Sequence, residues 1–151
     1  MLLAMKPALY FLFSFGAFLL GTVGSDIFAR TSIGGETLQH ALSQHWHYAG
    51  LEPVGTLFLF APFLGVGLVS AAVEEWSRTR SAIFIFALGT LPLLYFYFTG
   101  YQAAHHALLS EKWTAAALSV GLLPFIVGLP VMFGLVVLGV LAVGIHRRPT
   151  D

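Results

Sequence analysis

Four long apolar runs, set apart by short polar segments, dominate the chain. Pro7 to Gly24 ("PALYFLFSFGAFLLGTVG") is uncharged between Lys6 and Asp26. Pro53 to Val73 ("PVGTLFLFAPFLGVGLVSAAV") ends at "EEWSRTR". A third run begins near Ser81 ("SAIFIFALGTLPLLYFYFTGYQ") and reaches the pair His105-His106. The fourth lies within Thr114 to Ile145, 32 uncharged residues. A helix crossing a bilayer needs about 20 mostly apolar residues and satisfies its own backbone hydrogen bonds. The pattern therefore predicts four spans, near 7–24, 53–73, 81–103 and 117–145. At about 1.5 Å per residue the fourth exceeds a hydrocarbon core of roughly 30 Å, so it must tilt, protrude, or break at Pro124 or Pro130. Lys6 and the small Gly24 loosely resemble a cleavable leader, but the first run is long for one and is read as a helix.

The segment between the first two runs, 25–52, has a different periodicity. Placed on a helix from Glu36 to Ala49, Leu38, Ala41, Leu42, Trp46 and Ala49 gather on one face. Glu36, His40, Ser43 and His47 gather on the other. The reading is a short amphipathic helix lying along the membrane surface, with Trp46 at the headgroups. His45 falls on its apolar side, where it is expected to cap a neighbour or pack against a span. The predicted fold class is thus all-α: a polytopic four-helix membrane bundle with one interfacial helix, a single domain over residues 1–151.

Composition agrees, with 58% hydrophobic and 9% charged residues against about a quarter charged in soluble domains. The formal net charge is zero, which gives no reason to expect a nucleic-acid partner. The chain has no cysteine, which removes disulfide exchange and thiolate metal sites. If both termini are cytoplasmic, Lys6, Arg78, Arg80, Arg147 and Arg148 lie inside and only Arg30 and Lys112 outside, as the positive-inside bias requires. Trp46 and Trp113 then mark the outer boundary and Trp76 the inner one. The expected location is a plasma or inner membrane.

Helices in lipid pack through small residues. Ala17 and Gly21, Ala61 and Gly65, Gly67 and Ala71 lie four apart, and the fourth span carries Gly121, Gly128, Gly134, Gly139 and Gly144. Such stripes suit a tight bundle, within the chain or between copies of it. No Asp, Glu, Lys, Arg or His falls in the middle of any predicted span, which counts against ion-coupled transport, voltage sensing and haem ligation.

Five of the six histidines fall on the predicted outer side. Glu36, His40 and His47 share a helix face, and His105, His106 and Glu111 belong to the second outer loop. Were folding to join the two loops, imidazole with carboxylate would suit zinc or copper. The spacing matches no ligand motif. The simpler account, interfacial polar residues bonded locally, takes precedence, with a pH sensor third.

The first functional reading is therefore a non-catalytic partner protein: an accessory subunit, assembly factor or neutraliser of another membrane protein, or a homo-oligomer. It would recognise its partner through Trp46, Tyr48 and Trp113, because aromatic residues dominate hot spots. The second is a metal-dependent or redox enzyme with the histidines as ligands, Glu36 or Glu111 as acid–base group, and aromatic spans that receive a lipophilic substrate. The third is an oligomeric transporter or channel.

Overall fold

The structure, a computed structural model, describes residues 7–77 and 79–146, with only the backbone of His146. Lys6, Arg78, Arg147 and Arg148, on which the predicted orientation partly rests, lie outside the described residues. The described residues form five helices: α1 (Pro7–Ser32), α2 (Leu38–Leu51), α3 (Pro53–Trp76), α4 (Thr79–Leu109) and α5 (Trp113–Ile145). All except α2 are long and apolar enough to cross a membrane. The described residues contain no strand. This is the predicted four-helix membrane bundle with one short additional helix.

The first helix ends later than its apolar run suggests. Ser25–Ser32 adds eight helical residues beyond Gly24, so α1 carries Asp26 and Arg30 on its last turns instead of leaving them in a loop. The Arg30–Asp26 pair, four residues apart, supports that extension. A π turn over Leu20–Gly24 joins the two parts. There the Thr22 hydroxyl donates to the Phe18 carbonyl at 2.8 Å. Gly35, at φ +68°, then takes the left-handed conformation that reverses the chain.

Helix α2 starts two residues later than Glu36 because Thr37 is its cap: the side-chain oxygen accepts from the His40 amide. It stops at Glu52, held outside the helical region ahead of Pro53. Pro53 itself opens α3, where its missing N–H leaves no bond unmade.

The bundle core is aromatic. Phe63 stands edge-on to Tyr97 at 5.0 Å between ring centroids, and Phe18 packs on both Phe60 and Phe63. The Tyr97 hydroxyl donates to the Leu59 carbonyl at 2.9 Å, three residues before Pro62, which sits inside α3. Small residues set the crossings. A Cβ on Gly128 would lie 2.4 Å from the Pro62 ring, and one on Gly67 would lie 2.6 Å from the Ser14 hydroxyl. Gly121, Gly134 and Gly144 face open space, so only part of the glycine stripe on α5 is used within the chain.

α5 also departs from regular helix. A turn at Leu122 leads into a π segment at Pro124–Gly128, so the break falls at Pro124 and not at Pro130. Above it the Trp113–Gly121 half packs on α4, where Gly100 brings the helices close. Below it the Leu129–His146 half packs on α3 and α4. This change of partner opens a gap between the first turns of α3 and α5, at the end of the bundle that carries α2.

Candidate functional site

The gap forms a cleft of about 650 Å³, bordered by all five helices and covered by α2. That volume is in the range of small-molecule sites, roughly 300–1,000 Å³. Its walls are of two kinds. Phe18, Leu19, Leu59, Ala116, Ala117 and Val120 are apolar, whereas Asp26, Arg30, His45, Tyr48, Glu52 and Tyr101 supply polar groups. From Phe18 to Arg30 along α1 is roughly 18 Å at 1.5 Å per residue. An elongated guest therefore meets aliphatic surface at one end and charged groups at the other.

The polar end is organised around Asp26. Its Oδ2 accepts from Arg30 Nε at 3.0 Å and lies 2.8 Å from Nδ1 of His45. A carboxylate that already accepts from a guanidinium has only lone pairs to offer, so the imidazole proton sits on Nδ1. Arg30 is held from three sides: by Asp26, by Glu36 Oε1 at 3.4 Å, and by the Tyr48 ring, whose centroid is 5.8 Å from the guanidinium carbon. These side chains are largely enclosed, with relative exposures of 14% for Asp26 and Arg30 and 11% for His45. Partly buried charges of this kind require partners. The cluster supplies them, and it also ties α2 down onto the end of α1.

The sequence-predicted residues divide into two groups. Trp46, Tyr48 and Trp113 all border the cleft, so the three candidate recognition residues converge on one place although two helices supply them. The proposed metal ligands do not gather. His40, His47, His106 and Glu111 are exposed, and Glu36 bonds Arg30. His105 is buried at the joint between α1 and α2, where a Cβ on Gly34 would come within 2.4 Å of its Nε2. Among the described residues no group of three His, Cys, Asp or Glu side chains could hold a metal ion.

Sequence reasoning missed the Asp26–Arg30–His45 cluster as a site, although it expected His45 to contact a span or cap a neighbour. Two signals pointed to it: the four-residue spacing of Asp26 and Arg30, and a histidine on the apolar face of an amphipathic helix. Reading residues 25–52 as a single outer loop hid the first. No protein family, curated protein or solved structure matches the chain, so its function is argued from the site itself.

Proposed function

We propose that the protein is a small, non-catalytic integral membrane protein that recognises a lipophilic small molecule with a polar head in the cleft beneath α2. The observation that carries this reading is the contrast within the cleft, from apolar walls at Phe18 and Val120 to the Asp26–Arg30–His45 cluster. Size separates a small guest from a partner helix. A helix 10–12 Å across fills about 500 Å³ per 5.4 Å turn, so a cleft of about 650 Å³ accepts little more than one turn. An acyl or isoprenoid chain fits that space. In this reading both termini are cytoplasmic and α2 lies at the outer surface of a plasma or inner membrane, as the distribution of Lys and Arg suggests.

A second reading, recognition of another membrane protein as an accessory subunit or assembly factor, is favoured by Trp46 and Trp113. Both border the cleft yet remain 58% and 68% exposed, as a hot-spot rim would.

Extraction of the purified protein with organic solvent, followed by mass spectrometry of the extract, tests the first reading. Ala117→Trp places an indole on the apolar wall of the cleft. A lipophile retained by the wild-type protein and lost from the folded variant supports the proposal. Equal lipid content in the two proteins overturns it.

A further inference from the structure

The polar end of the cleft also restricts what head the guest carries, an inference that rests on the reading above. We infer that the site selects a neutral, hydroxyl-bearing amphiphile, whose hydroxyl donates to Nε2 of His45.

Three features lead there. The first is the tautomer of His45. Nδ1 is committed to Asp26, and this is the one hydrogen bond the ring makes among the described residues. With the proton on Nδ1, Nε2 is a lone-pair acceptor in a ring that borders the cleft. A group that donates a hydrogen bond completes it; a group that only accepts does not. The same carboxylate that fixes the tautomer also makes Nε2 a better acceptor.

The second feature is the sign of the charge. Two carboxylates, Asp26 and Glu52, border this end of the cleft beside the single guanidinium of Arg30, and a third, Glu36, bonds Arg30 without bordering the cleft. With His45 in the neutral form that leaves Nε2 an acceptor, the balance of these lining groups is negative. Arg30 would otherwise be the natural receptor for a phosphate, but two of those carboxylates already hold it. A phosphate or carboxylate head would therefore enter a repulsive field beside partly enclosed charges, where repulsion is screened less than in bulk water. Anionic phospholipids and fatty acids are disfavoured for this reason.

The third feature is position. The hydroxyls of Tyr48 and Tyr101 belong to residues that border the same end, so a head with an oxygen beside its hydroxyl finds donors as well as an acceptor. Below them the guest meets only Thr22 and Thr56 among polar residues, and each already donates to a carbonyl of its own helix. Polarity is thus confined to one end, and the chain beneath the head must be apolar.

The test uses three probes with one chain: farnesol, farnesyl methyl ether and farnesyl phosphate. Binding to the full chain in detergent is followed by the emission of Trp46 and Trp113. The alcohol is expected to bind about fivefold more tightly than the ether, which keeps the oxygen but loses the donor, a difference set by one neutral hydrogen bond. The phosphate is expected to bind at least tenfold more weakly than the alcohol. His45→Phe should bring the alcohol down to the affinity of the ether and leave the ether unchanged. If that variant fails to fold, the alcohol-to-ether ratio in the wild-type protein still decides. Equal binding of alcohol and ether, or tightest binding of the phosphate, overturns the head-group inference and leaves the cleft reading standing. Failure of all three probes to bind overturns both.

Discussion

His45 Nδ1 lies 2.8 Å from Asp26 Oδ2 and links residues nineteen apart in the sequence, so the hydrogen bond fastens the middle of α2 to the last turns of α1. Arg30 shares the same carboxylate oxygen at 3.0 Å. One side chain therefore holds the cover of the cleft and keeps the neighbouring guanidinium in place.

Asp26→Asn should loosen that cover. The substitution keeps the shape but removes the charge that two donors share, and hydrogen bonds to charged groups contribute about 2 kcal/mol each. Arg30 retains Glu36, so α1 should stay helical while α2 detaches more often. Hydrogen exchange at the amides of residues 38–51 should speed up by a factor of ten or more, with residues 53–76 unchanged. Uniform exchange across both segments would show that Asp26 does not act as a fastener.

Two glycines on α5 should respond with opposite signs. At Gly128 a Cβ would meet the Pro62 ring at 2.4 Å, and a proline inside α3 has no flexible end to move aside. Gly128→Ala is expected to force α3 and α5 apart and cost about 1–3 kcal/mol. Gly134 has nothing within 4 Å, so Gly134→Ala should be neutral or should stabilise the helix by less than about 1 kcal/mol. Thermal unfolding of the two variants in the same detergent gives the comparison directly.

The bundle was readable in the sequence because lipid enforces a simple rule: about 20 apolar residues per crossing. That rule found all four spanning helices, and the two prolines flagged in the fourth run included Pro124, where α5 departs from regular helix. Helix ends were harder to place. Ser25–Ser32 is polar enough to resemble a loop, and its helical state depends on the Asp26–Arg30 pair and on packing against α4 and α2. The cleft itself was invisible. It exists because α5 changes partner at Leu122 to Gly128, a tertiary event with no periodic signature. The aromatic residues chosen for recognition border it, because they lie on α2 and at the start of α5, which flank the cleft. The histidine grouping rested on loop proximity alone, and proximity in the chain does not decide which way a ring points.

Buried hydroxyls on the α1–α3 seam give a prediction that runs against intuition. Ser70 is fully enclosed, and its hydroxyl has no hydrogen-bond partner among the described residues. A polar group left unpaired in an apolar interior is a cost, and replacing it with an apolar group of the same shape removes that cost. Ser70→Ala should therefore leave the melting temperature unchanged or raise it. A fall of several degrees would mean that the hydroxyl has a partner, such as an ordered water, that binds in solution.

Tyr97 reaches across the core to the turn of α3 that contains Pro62. Its hydroxyl donates to the Leu59 carbonyl at 2.9 Å, and its ring stands edge-on to Phe63 at 5.0 Å. Tyr97→Phe keeps the ring contact and removes only the hydroxyl. Hydrogen bonds between helices in a bilayer contribute about 0.6 kcal/mol on average and at most about 1.7. Pro62 leaves the Phe58 carbonyl, not that of Leu59, without its helical N–H, so the loss is expected within that ordinary range, about 0.6–1.5 kcal/mol. Leu59 also lines the apolar wall of the cleft, so relaxation of this turn should enlarge the site and weaken the binding of a farnesyl chain whatever its head. A stability loss accompanied by equal weakening of the alcohol and the ether would locate the effect in the apolar wall. Unchanged affinity for both would show that the bond supports the fold without shaping the cleft.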